Sequence, residues 1–143
     1  MAAYYGAWYY VPAPATNSGN WNLLHFRGAD VPQDSATHGL WDVSLANASD
    51  GTLHLVVYDF LRKSTLQTTG AMPIGAWVHL EVYLRRAADS TGQFTLRRDG
   101  QVVLDLIGIA TDDSRWGEWF VGNLATALSP PSSTVYVDDV TIQ

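Results

Sequence analysis

At 143 residues, with no cysteine and a formal net charge of −6, the chain is sized for one domain with a substantial core and has no disulfide or thiol chemistry open to it. Charged residues are 15% of the total, Lys63 is the single lysine, and the arginines are scattered or paired rather than striped, which excludes nucleic-acid binding. No apolar run approaches the ~18 residues of a membrane helix, and Met1-Ala2-Ala3 lacks the basic and apolar regions of a signal peptide.

Tyr4 to Val11 is a β-prone aromatic run, stopped by Pro12 and Pro14. No charge precedes Arg27, so nothing but the two prolines protects this strand if it lies at a sheet edge. An open aromatic edge is a template for another chain, and the expectation is self-association there, with a second copy or a segment of a larger assembly. After the turn Asn17-Ser18-Gly19-Asn20, the run Trp21 to Arg27 reads as a strand. Leu24 and Phe26 take one face, and Trp21, Leu23, His25 and Arg27 the other.

Gly28 to Gly39 reads as a polar loop containing Asp30, Pro32, Asp34 and His38. Leu40 to Leu45 alternates again, with Trp41, Val43 and Leu45 inward and Asp42 and Ser44 outward. Asn47 to Gly51 is a turn, and Thr52 to Phe60 a strand with Leu53, Leu55 and Val57 on one side and His54, Val56, Tyr58 and Phe60 on the other. Arg62 to Gly75 is loop-like, with a short β-prone piece at Ser64 to Thr68.

Trp77 to Arg85 is the most regular strand of the chain. Val78, Leu80, Val82 and Leu84 point one way, and Trp77, His79, Glu81, Tyr83 and Arg85 the other. A merely solvated face rarely carries such a row, so these five residues are candidate ligand contacts, joined by His25, Arg27, His54 and Tyr58 on other strands. Aromatic rings stack on sugar faces while polar groups bond the hydroxyls, which points to a polysaccharide or other glycan as partner. Next comes a hairpin around Asp99-Gly100. The apolar pattern argues for a three-residue loop, Arg98-Asp99-Gly100, pairing Leu96 with Val102 and Phe94 with Leu104. Trp116 to Phe120 and Thr134 to Ile142 are further strands, separated by the rigid turn Leu128 to Ser133. No stretch keeps a helical period, so the class is all-β, a two-sheet antiparallel β-sandwich.

Three pieces together carry a resemblance: Gly75-Ala76-Trp77-Val78-His79-Leu80-Glu81-Val82, Arg98-Asp99-Gly100-Gln101, and Val135-Tyr136-Val137-Asp138-Asp139-Val140. The chain resembles the concanavalin A-like lectin/glucanase superfamily, and within it the laminin-G-like and heparin-lyase-like polysaccharide lyase domains of secreted proteins. The resemblance runs from about Tyr4 to Ile142. It implies a jelly roll spanning residues 1–143 as a single domain that lacks N-terminal strands of the longer family domain, and an extracellular or cell-surface setting. The superfamily's hydrolases carry a Glu-x-Asp-x-x-Glu cluster. Glu81 and Glu118 are the only glutamates here, and neither has such a neighbour, so a two-carboxylate glycosidase is excluded. The lyases carry a His/Tyr arrangement with a cation beside the sugar carboxylate. His79, Tyr83 and Arg85 offer those residue types for β-elimination, but the Tyr-rich C-terminal lyase motif is missing, with Tyr136 alone in its place. In calcium-stabilised sugar-binding relatives a similar final strand supplies one carboxylate to a structural Ca²⁺, which makes Asp138 and Asp139 candidate ligands.

The expectations are therefore a non-catalytic carbohydrate-binding module first, a polysaccharide lyase acting on a uronate polymer second, and a structural or adhesive subunit third.

Overall fold

Burial along the Trp77 to Arg85 run alternates as its sequence does, with Val78, Leu80, Val82 and Leu84 at most 3% exposed. The same rule, repeated on other strands, gives two apolar faces that can be hidden only against each other. The computed structural model describes residues 1–31 and 37–143. Among the described residues there are twelve strands and no helix: β1 (Ala2–Tyr10), β2 (Thr16–Asn17), β3 (Trp21–Ala29), β4 (His38–Asn47), β5 (Leu53–Asp59), β6 (Ser64–Ala71), β7 (Trp77–Arg85), β8 (Gly92–Arg98), β9 (Gln101–Ile109), β10 (Trp116–Ala125), β11 (Leu128–Ser129) and β12 (Tyr136–Ile142). Among the described residues, no helix is long and apolar enough to cross a membrane.

The first sheet has the order β12-β1-β7-β8-β9 and the second β10-β3-β4-β5-β6, with β11 and β2 forming a small third pair. Neighbouring strands are antiparallel throughout. The inner faces meet in one core, where Phe94 of the first sheet stacks on Trp41 of the second at 4.5 Å between ring centroids. Trp41 is wholly buried, and its indole N–H is satisfied by donation to the Thr111 carbonyl at 2.8 Å.

Three expectations change. The aromatic strand β1 is not an edge, because it lies between β12 and β7 and its backbone is paired on both sides. The premise of self-association through an open N-terminal strand therefore fails. The hairpin between β8 and β9 turns in two residues, not three: Asp99 and Gly100 take φ of 51° and 78°, the left-handed pair that favours Gly. Arg98 then pairs with Gln101 and Arg97 with Val102. A bulge at Val103 repairs the register, setting Leu96 opposite Leu104 and Phe94 opposite Leu106. Finally, Gly28 and Ala29 extend β3, and His38 and Gly39 open β4, so the polar loop is shorter than expected. Pro32 and Asp34 of that loop lie outside the described residues.

Candidate functional site

The nine candidate ligand residues do not form one site. Trp77, His79, Glu81, Tyr83 and Arg85 stand on the outer face of the first sheet, because their neighbours on β7 fill the core. His25, Arg27, His54 and Tyr58 stand on the outer face of the second sheet, on the far side of that core.

What decides the second group is a bulge in β3. Asn22 pairs with Ser44 and Leu24 with Val43, so Leu23 is an extra residue on β3. Trp21, Leu23 and Leu24 are all at most 1% exposed and face the core, contrary to the expectation that Trp21 and Leu23 share a face with His25. Asn22 and His25, three apart, both face outward. The Trp21 indole N–H reaches sideways to Asn123 Oδ1 on β10, at 2.7 Å.

Two rows of side chains now cross the second sheet. One runs Phe120, His25, Asp42, Tyr58, Thr65, and the next Leu124, Asn22, Ser44, Val56, Gln67, each from β10 through β3, β4 and β5 to β6. At the centre, His25 Nδ1 is hydrogen-bonded to Asp42 Oδ1. Asn22 Nδ2 donates to Asp42 Oδ2 at 2.7 Å, and Ser44 Oγ donates to Asn22 Oδ1 at 3.1 Å. Asp42 is 6% exposed and Asn22 7%, so this network is held down in the sheet surface while the half-buried His25 ring rises from it. A carboxylate on Nδ1 fixes the imidazole tautomer with its proton on that nitrogen and leaves a lone pair on Nε2. Among the described residues Nε2 has no hydrogen-bond partner.

Depressions open on either side. One, of about 350 Å³, is lined by Asn22, His25, Arg27, Phe120 and Leu124 among others. The second, of about 430 Å³, is lined by Asn22, Asp42, Ser44, Tyr58, Phe60 and Thr65 among others. Asn22 borders both, so they read as one groove running across the strands. Phe60 forms part of its wall, edge-on to Tyr58 at 4.7 Å and to His25 at 6.2 Å. Its ring fits because β4 has Gly39 beneath it, where a Cβ would come within 2.7 Å of the ring. Arg27 stands two residues beyond His25 on β3 and donates through Nη2 to the Thr37 carbonyl at 2.8 Å.

The remaining candidates stand apart. His54 lies farther along β5 and is hydrogen-bonded to Thr52 Oγ1 at 2.8 Å. On the first sheet, His79 packs against Trp8 and Tyr83 against Tyr4, while Arg85 is exposed. Asp138 and Asp139 are exposed on β12, and among the described residues no three His, Asp or Glu side chains converge to hold a metal ion. Asn22, Asp42, Ser44, Phe60 and Phe120 are the groove residues that sequence reasoning did not select. The signal was the broken alternation at Leu23-Leu24, which marks a bulge and carries Asn22 to the side of His25.

No known protein family and no curated protein matches the sequence. Solved structures do. The endo-β-1,4-glucuronan lyase of the fungus Trichoderma reesei superposes with a TM-score of 0.73 at 18% identity, over 99% of this chain and 68% of that one. Alginate lyase Aly36B gives 0.70 at 16% identity, over 100% and 69%, and a mutant of it has been solved in complex with alginate trisaccharide. The PL-14 alginate lyase of Aplysia kurodai gives 0.62 at 12%, over 99% and 69%. Identities this low speak to architecture alone: the chain has the jelly-roll β-sandwich fold of polysaccharide lyases.

Proposed function

We propose that the chain binds an acidic polysaccharide in the groove of the second sheet and cleaves it by β-elimination at His25. The observation that carries this is the His25–Asp42 pair, a base with its tautomer fixed by a buried carboxylate, at the middle of a groove open on both sides. The solved structures with the same fold are named as glucuronan and alginate lyases, which supports a uronate polymer as substrate.

In this reading a uronate residue lies over His25 with its carboxylate toward Arg27, whose charge stabilises the carbanion-like transition state. His25 Nε2 takes the C5 proton. The freed electron pair forms the C4=C5 double bond, and the C4–O glycosidic bond breaks. The leaving oxygen takes its proton from Tyr58, two strands from His25 or roughly 9–10 Å between backbones, a gap that the sugar itself spans. No water enters the products. A substrate of polymer size places the reaction outside the cell.

Binding without cleavage has one observation in its favour. The residue facing His25 from β10 is Phe120, which has no proton to give, so acid catalysis falls to Tyr58 alone. Glucuronan and alginate separate the two readings. A lyase releases unsaturated uronate that absorbs in the ultraviolet, whereas a binding module is retarded in gels containing the polymer and releases nothing.

A further inference from the structure

The outer face of the first sheet remains unexplained by the groove. Tyr136, Tyr10 and Trp77 form a row across β12, β1 and β7, with ring centroids 6.0 and 5.5 Å apart. Beside it stand Trp8 with His79 at 5.2 Å, then Tyr4 with Tyr83 at 4.9 Å. Trp8 is 37% exposed, Trp77 46% and Tyr136 54%, so the core does not account for them. Large exposed rings clustered on one face mark a contact surface.

We infer that this face is a second carbohydrate-docking surface, separate from the groove, that takes the apolar ring faces of an uncharged glycan chain. Side chains on one face of a strand recur every ~6.5–7 Å, so Trp8 and Tyr10, like His79 and Trp77, present aromatic rows at about the length of one sugar ring. The rings of adjacent strands are tilted by 42–58°, a corrugated surface rather than a flat one. A protein partner fits poorly. The middle of the face holds the Arg97–Glu81 ion pair at 3.0 Å, each side chain more than a quarter exposed. Protein interfaces are depleted of charge at their centre, and burying such a pair costs free energy. Sugar hydroxyls bond to the same groups and leave them partly wet.

The occupant is uncharged because the face offers no excess of cations. Arg85 and Arg97 are outnumbered by Glu81, Asp105 and Asp138, which the strand registers place on the same side.

Native affinity electrophoresis in gels containing barley β-glucan, konjac glucomannan or xyloglucan tests the inference. Wild type and His25→Ala should be retarded equally in at least one gel, and Trp8→Ala and Trp77→Ala should each weaken the interaction about tenfold or more. Tyr136→Ala, on the most exposed of these rings, gives the same reading should a Trp variant lose its circular dichroism spectrum. Absence of retardation in all three gels overturns the inference, as does retardation that the aromatic variants leave unchanged. A dimer in sedimentation that Trp8→Ala and Trp77→Ala dissolve also overturns it, and assigns the face to a second copy of the chain.

Discussion

The Tyr9 hydroxyl donates to the Leu23 carbonyl at 2.9 Å, a hydrogen bond that crosses the core from the first sheet to the bulge in the second. Leu23 is the extra residue that turns both Asn22 and His25 outward, so a side chain of one sheet holds the backbone kink on which the groove of the other depends. Tyr9→Phe leaves that buried carbonyl without its donor and should destabilise the fold by about 1–3 kcal/mol in chemical denaturation.

Tyr9 also sets an alkaline limit. Burial pushes its hydroxyl well above the ordinary value of 10.0. Burial raises Tyr5 as well, partly offset by Arg86. A group raised in the folded state contributes its full stability below the unfolded value, and loses it as pH rises above that value. Stability should therefore fall as pH climbs past about 10, and fall less steeply in Tyr9→Phe, because Tyr9 is the more strongly shifted of the two. Denaturant midpoints measured across that range check both slopes.

Gly39 is required by Phe60. A methyl group there would meet the ring at 2.7 Å, and the ring is bounded by Tyr58 on one side and His25 on the other. Gly39→Ala should displace Phe60 into the groove, costing about 1–3 kcal/mol as an overpacking change and weakening polysaccharide retardation. If Phe60→Ala in the same background restores binding, the steric account is correct.

Asp42→Asn keeps the shape of the His25 partner and removes the charge that fixes the tautomer. The expected outcome on a uronate polymer is a fall in kcat of roughly 10²–10⁴ with KM little changed, since the change touches the proton transfer and not the sugar contacts. An equal loss in the denaturant midpoint would mark Asp42 as structural instead.

Within β7 the two faces should answer differently. Leu80 is wholly buried, and Leu80→Ala should cost ~2–5 kcal/mol as a cavity. Glu81 meets Arg97 in a partly exposed ion pair, so Glu81→Ala should cost about 1 kcal/mol or less. Thermal unfolding of both variants gives the comparison.

Much of the sandwich was legible because alternation is local. In β7 the faces can be read from Val78 to Leu84, where burial follows every second residue. In β4 and β5 the inward residues Trp41, Val43, Leu45, Leu53, Leu55 and Val57 are in the core, although Asp42, Ser44 and Val56 on the outer side are buried as well. Bulges defeated the same reading in β3 and β9, since one extra residue at Leu23 or Val103 reverses the side on which the following residues fall. The division of candidate residues between two outer faces was not legible at all. Nothing in the Trp21–Arg27 and Trp77–Arg85 runs records which sheet each joins; that depends on strand pairing across long stretches of chain. Asp42 was read correctly as outward, but its link to His25 comes from the β3–β4 register, which the bulge sets.

Mass analysis of the products from glucuronan and alginate tests the central claim most directly. The account predicts oligosaccharides one water lighter than hydrolysis would give, absorbing in the ultraviolet, and absent from reactions with folded His25→Ala. Saturated products, or unsaturated ones that persist undiminished in His25→Ala, would contradict it.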